Sequence, residues 1–295
     1  MLPCGNVEDF VSVDIGGARL QHQNLLVTLY GLYSQPLDGS FPVAAIVEMF
    51  SALGIKPQAT RSTVSRLKRS GVLINERAGG DSNYQLSPEI LDNFGKNDQR
   101  IFAPTRSSAE DSLVLAIFSV PESERNRRYE LRSELANLGF GMVTGGVAVG
   151  PQLAIEQAMA RLADRGLSGY VDYFRADYLA PSEIKSKVAQ WWDLEALDSQ
   201  YTDFLQAYVG RLEQWRDKSS RISDELEFAR EAFAFYVPML TRWRRFPYRD
   251  PNLPFEYLPE GWKAPHAKQV FLALHDLLAP AAERYANQLL GVHAG

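Results

Sequence analysis

Seven side chains between residues 61 and 77 carry the most suggestive chemistry of this chain: Arg61, Ser62, Ser65, Arg66, Lys68, Arg69 and Arg77. A guanidinium grips phosphate, or the O6/N7 edge of guanine, through paired hydrogen bonds, and an ammonium meets phosphate as a point charge. Hydroxyls donate or accept at base edges. The whole chain has a formal net charge of −5, yet between Lys56 and Arg77 six cations stand against one acid, Glu76. A cationic cluster held inside an acidic chain points to a polyanionic partner. A solvated helix face would account for the charge by itself, so the neighbouring elements must decide.

At about 100° per residue, Thr60, Thr63, Val64 and Leu67 fall on one face of a helix running from Pro57 to Ser70, which places the cations and hydroxyls on the other. Gly71 stops that helix. Before it comes the turn Gly54, Ile55, Lys56, and before that PVAAIVEMFSAL, a helix expected to open on Ser40 as N-cap with Pro42 in its first turn. Gly54 suits the left-handed position that closes it. After Gly71, the runs VLINER and NYQLS flank AGGDS and predict a hairpin, with Leu73, Tyr84 and Leu86 turned inward and Arg77 near the tip. Helix, glycine turn, helix and hairpin spell a winged helix-turn-helix. LLVTLYGLYS, from Asn24, is apolar on nearly every side and reads as a buried first helix.

At 295 residues and 45% hydrophobic, the chain has room for two or three folded domains. The single cysteine, Cys4, excludes an internal disulfide framework and a cysteine zinc site and fits a reducing compartment. The N-terminus carries no basic region followed by an apolar core, so no secretory signal is read there. The apolar run from Leu113 to Val120 is far shorter than the ~20 residues of a membrane helix. The expected location is cytoplasmic, with no membrane partner.

The expected fold class is a multidomain α+β chain. Residues 1–23 form an N-terminal extension, 24–91 the winged helix domain, and 92–111 a polar linker. Residues 112–180 follow as a middle domain and 181–295 as a helical C-terminal domain. In the middle domain SLVLAIFSV predicts a strand, and the stretch from Ser123 a helix with Leu131, Leu135 and Leu138 inward. Phe140 to Val149 predicts two strands about Gly145-Gly146. Pro151 to Asp164 predicts a second helix with Ile155, Ala158, Met159 and Leu162 on one face, and GLSGYVDYF a last strand. That order, βαββαβ, is ferredoxin-like. Such a fold serves sensors, RNA binders and dimerisation modules alike, and the strand pattern of RNA-recognition domains is missing. Arg125, Arg127, Arg128 and Arg132 make a basic helix face, suited to solvent or to anion contact.

In the C-terminal region, aromatic residues at helical spacing read mainly as core. Arg242, Arg244 and Arg245 around Trp243 form a candidate acidic-ligand group, although cations at a helix C-terminus also favour its dipole. His22, His266, His275 and His293 are scattered and read as structural or surface. No His-Glu-x-x-His pair and no glycine-rich phosphate loop is present, so no catalytic residue, metal site or cofactor is expected.

Taken together, these stretches resemble the PaaX-type transcriptional regulators over roughly residues 24 to 290. LLVTLYGLYS resembles the family's opening helix, and TRSTVSRLKRSGVL its recognition helix, through Arg61, Ser65, Arg66, Leu67 and Gly71. Arg100-Ile101-Phe102 resembles the linker, and PESERNRRYELRSELANLGFG the middle domain's strand-to-helix stretch. RRFPYRDPNLPFEYLPEGW resembles the signatures at Arg245-Phe246, Asp250 to Pro254 and Leu258 to Trp262. The resemblance implies a homodimeric repressor whose winged helices hold an inverted-repeat operator in double-stranded DNA. It also implies release by an aromatic acyl-CoA such as phenylacetyl-CoA, and control of an aromatic-acid catabolic operon. The family's middle domain is similar to small CRISPR-associated nucleases, which hold a metal through an aspartate ending the first strand. Here that strand ends Ser119, Val120, Pro121, so the carboxylate that metal-assisted cleavage needs is missing. The remaining alternative is an adaptor or acyl-CoA-binding protein that uses the winged helix to hold a protein partner.

Overall fold

A computed structural model of the chain describes residues 17–76, 83–88, 101–102, 105–180 and 183–292. The chain separates into two compact units, one built from residues 1–102, 205–245 and 268–295, the other from 103–204 and 246–267. Both are mixtures of helices and small antiparallel sheets, so the chain is α+β. Residues 181–295 contribute to both units.

The first unit begins with helix α1 (Gly17–Tyr33), whose Leu26 and Leu29 are fully buried. Strand β1 (Ser40–Pro42) follows, then α2 (Val43–Ala52), α3 (Pro57–Arg69), β2 (Leu73–Glu76) and β3 (Asn83–Leu86). The three strands form an antiparallel sheet in the order β1-β3-β2, with Leu73 opposite Leu86 and Phe41 opposite Tyr84. Strand β1 corrects the sequence reading, which made Ser40 a helix cap and Pro42 a helix residue. Phe41 decides the matter: it is 0% exposed and stacks on Tyr30 at 4.3 Å between ring centroids. The Tyr30 hydroxyl in turn donates to the Tyr84 carbonyl at 2.7 Å. Burying a large ring outweighs the capping preference of a serine, and Pro42 becomes the N-cap itself. The hairpin tip, Arg77 included, lies outside the described residues, as do most of the N-terminal extension and of the linker.

This unit also holds the C-terminal part of α7 (Leu194–Ser219), α8 (Glu225–Trp243) and most of α10 (Ala264–Leu290). Asp224 caps α8, its Oδ1 accepting from the amides of Leu226 and Glu227. Helix α8 packs on α1, where the Thr241 hydroxyl donates to that of Thr28 at 2.9 Å.

The second unit is built on a four-stranded antiparallel sheet in the order β5-β6-β4-β7. The chain order is β4 (Leu113–Phe118), α4 (Arg125–Asn137), β5 (Gly141–Thr144), β6 (Val147–Pro151), α5 (Ile155–Asp164) and β7 (Val171–Ala176). Leu131, Leu135 and Leu138 of the α4 stretch and Ala158 and Leu162 of α5 pack against Val114, Ala116 and Phe118 of the central strand. Met159 departs from expectation and is 53% exposed, because α5 turns a narrower stripe to the sheet than the four-residue pattern suggested. Between the two helices, Glu134 is 4% exposed and accepts from Arg161 Nε and Arg165 Nη2, both at 2.9 Å. Helix α6 (Ile184–Trp191) and the segment around Trp192 cover part of the other sheet face, with the Trp192 indole donating to the Gly139 carbonyl at 2.9 Å.

A strap from α9 (Phe246–Arg249) to Trp262 completes this unit. Asp250, 3% exposed, organises it: its carboxylate takes Arg106 at 3.2 Å, the Tyr201 hydroxyl at 3.1 Å and the Asn252 amide at 2.8 Å. Burial, and after it the Asp250 charge, pushes Tyr201 far above the ordinary tyrosine range. The Asp-Pro-x-Leu-Pro stretch is thus a structural knot.

Candidate nucleic-acid interface

Helix α3 owes its position to residues on one stripe. Thr60, Thr63, Val64 and Leu67 are 1%, 0%, 6% and 0% exposed, packed in the unit that contains α1 and α2. The two buried threonine hydroxyls are satisfied within the helix, Thr60 by the Lys56 carbonyl at 3.3 Å and Thr63 by that of Ala59 at 3.0 Å. Gly54, at φ +78°, supplies the left-handed residue that turns the chain out of α2, and Gly71, at φ +75°, does the same after α3. Pro57 in the first turn loses no hydrogen bond. Arg66, Lys68 and Arg69 in the last turn complement the negative end of the helix dipole.

The opposite stripe is open. Arg61, Ser62, Ser65, Lys68 and Arg69 are all exposed on α3. Arg66 is not brought fully onto this surface: it is half-buried, its Nη2 donates to Thr63 Oγ1 at 3.2 Å, and its Nε is enclosed without a hydrogen-bond partner. It also acts on His22 of α1, whose pKa is lowered first by burial and then by the Arg66 charge. The Lys68 ammonium lies 5.4 Å from the centre of the Tyr84 ring on β3, near the edge of the exposed stripe. One exposed residue was missed by the sequence reading: Gln58, in the first turn of α3. Its signal was its spacing from Arg61, Ser62 and Ser65, but an uncharged residue does not stand out in a search for cations.

The second candidate group divides. Trp243 is 2% exposed, stacks on Phe271 at 4.5 Å and 11°, and donates through Nε1 to the Ile101 carbonyl at 3.1 Å. Its indole is core and offers no open face. Arg244 is also buried, at 5% exposed, whereas Arg242 is half-buried with its guanidinium 5.9 Å from the Tyr208 ring. Arg245 is half-buried, its amide directed at the Arg242 carbonyl. On α4, Arg125 engages Tyr129 at 2.8 Å, Arg127 engages Glu130 at 3.3 Å, and Arg128 engages Glu122 at 3.2 Å. Three of the four arginines of that face are therefore engaged by residues of α4 or of the turn just before it.

His275 Nδ1 shares a 2.8 Å hydrogen bond with the Tyr236 hydroxyl among Phe102 and Phe271, and burial lowers its pKa. His266 is exposed, and His293 lies outside the described residues. Among the described residues no group of three or more His, Cys, Asp or Glu is placed to hold a metal ion. Among those same residues no helix is long and apolar enough to cross a membrane.

An α+β chain with a cationic helix set between a turn and a hairpin, and with a separate sheet-and-helix unit, defines a multidomain class with known members. Residues 21–90 match the PaaX-like protein family, 107–188 the PaaX protein central Cas2-like domain, and 192–288 the PaaX-like protein C-terminal domain. The chain belongs to the PaaX family. It is 20% identical over 285 residues to the transcriptional repressor PaaX of Escherichia coli, covering 96% of this chain and 88% of that protein. It also resembles the solved structure of an uncharacterized protein from Mycobacterium tuberculosis, with a TM-score of 0.51 at 20% identity. That match covers 83% of this chain and 89% of the other, and it speaks to fold alone.

Proposed function

We propose that this protein is a homodimeric transcriptional repressor that binds an inverted-repeat operator in double-stranded DNA. The observation that carries the reading is the two-sided character of α3, with four buried residues on one stripe and exposed Arg61, Ser62, Ser65, Lys68 and Arg69 on the other. Helices α2 and α3 with the β2–β3 hairpin are read as a winged helix-turn-helix, α3 entering the major groove. The β5-β6-β4-β7 sheet with α4 and α5 is read as a ferredoxin-like domain. Family membership supports the repressor role, since a relative over nearly the whole chain bears that name. A two-fold pair of α3 helices about 34 Å apart would meet successive major grooves, which is the reason for a palindromic operator.

Release is assigned to an aryl acyl-CoA, phenylacetyl-CoA in the first instance, controlling an aromatic-acid catabolic operon. The coupling needed is modest, about 1–3 kcal/mol between effector and DNA sites. Arg242, Arg244 and Arg245 stay as candidate effector contacts, whereas Trp243 contributes by packing. The protein acts without catalysis, cofactor or metal, in the cytoplasm. A mobility-shift titration on the DNA upstream of its own gene, with and without phenylacetyl-CoA, tests the proposal. Retardation reversed by the thioester is expected. Retardation that the thioester leaves unchanged would remove this effector, and no retardation on that DNA or on any flanking promoter would remove the repressor role.

A further inference from the structure

The open stripe of α3 has a centre and margins, and they differ in chemistry. With about 100° between successive residues, Gln58, Ser65 and Arg69 fall within about 20° of one line, directly opposite the buried stripe. Arg61 and Ser62 lie about 40–60° to either side, and Arg66 and Lys68 about 80° out. The side chains obey this arrangement. Gln58, Arg61, Ser62, Ser65 and Arg69 are exposed, while marginal Arg66 folds back on Thr63 and marginal Lys68 lies by the Tyr84 ring. A helix laid in a groove presents its centre line to the base edges and its margins to the two walls of phosphates. Arg69, last in the helix, is on the centre line but about 16 Å along the axis from Gln58, where the helix has begun to leave the groove.

Resting on the DNA-binding reading above, we propose that Gln58 is a base reader of this helix and selects adenine. Its carboxamide has the acceptor and donor that meet N6 and N7 of adenine together, a pairing no other residue on the stripe makes. Arg61, one turn further and to the side, has the complementary preference for guanine O6 and N7. Ser65 lies seven residues from Gln58, about 10 Å along the helix, or roughly three base pairs of groove. The stripe therefore specifies an A·T pair close to a G·C pair in each half-site. Arg66, about 80° from the centre line and with its guanidinium turned back on Thr63 of the same helix, is left to the phosphate wall and reads no base.

The test is a selection from a double-stranded DNA pool with a randomised core, using the full-length chain, Gln58→Ala and Arg66→Ala. The wild type is expected to enrich a motif with an A·T pair in each half-site. Gln58→Ala is expected to lose preference at that pair alone, with discrimination falling about 5- to 150-fold while the other positions persist. Replacing that adenine by 7-deazaadenine in the selected site should weaken the wild type and leave Gln58→Ala unchanged. Arg66→Ala should weaken binding about equally on every sequence and leave the enriched motif as it was. A Gln58→Ala motif identical to the wild type's at every position would overturn the assignment with DNA binding intact. A wild-type chain that enriches no motif would remove the DNA reading and this inference with it.

Discussion

Arg69→Ala is the perturbation that separates a DNA-gripping helix face from a solvated one. In the last turn of α3, Arg69 is exposed and complements the helix dipole, so its removal costs the fold only about 0.3–1 kcal/mol. If the exposed cations Lys68 and Arg69 each neutralise a phosphate while Arg61 reads a base, a dimer releases counterions from about four, and log affinity falls against log salt with a slope near −4. Raising salt from about 50 to about 200 mM then weakens binding roughly 150-fold. Arg69→Ala takes one contact from each protomer, so the slope should become shallower by about 2. Fluorescence anisotropy on a labelled operator at four or five salt concentrations reads this directly, with the urea midpoint as the control for folding. A variant slope within about 0.5 of the wild type's would refute the phosphate contact and leave Arg69 as a dipole partner only.

Other consequences follow from the interior. Glu134→Ala strands two guanidiniums that are 12% and 22% exposed, and should cost about 3 kcal/mol, at the low end for a broken buried pair because Glu130 still faces Arg165. Glu130→Ala, on a more exposed pair, should cost less than about 1 kcal/mol; equal losses in urea melts would contradict the role given to Glu134. Trp243→Ala should lose about 3–5 kcal/mol and shift the melting temperature markedly. A change in effector affinity at unchanged stability would instead restore the indole to a ligand site. His22 and His275 are both held below the ordinary value of 6.5 by burial. The unfolded chain therefore gains protons first as pH falls through 6.5, and stability is lost from there downward toward the folded values. The double variant His22→Gln/His275→Gln should show a flatter melting temperature between about pH 7 and 5. An unaltered profile would place the acid sensitivity elsewhere.

Much of this architecture was legible because periodicity is a direct record of burial. Thr60, Thr63, Val64 and Leu67 announce their stripe, and each is buried as spaced. Leu131, Leu135 and Leu138 do so equally. Strand β1 was hidden because three residues carry no period, and Ser40 and Pro42 imitate a helix start. Only the long-range partners Tyr30 and Tyr84 make Phe41 a strand residue. Arg66 was hidden for a related reason: a helical wheel gives direction, but a long side chain can fold back to a hydroxyl such as Thr63. Trp243 had the composition of a ligand contact, and its partners Phe271 and Ile101, distant in sequence, make it core. Asp250 was noticed as part of a signature, whereas its work with Arg106 and Tyr201 depends on contacts that spacing does not encode.

The central claim is that the exposed stripe of α3 binds DNA, and Arg61→Ala tests it most directly. Its side chain is exposed about 60° from the centre line of the open stripe, so the variant should fold as the wild type does. Titrated against labelled DNA from the upstream region, the wild type should bind and Arg61→Ala should bind at least about tenfold more weakly. Equal affinities, or no affinity in either, would contradict the account.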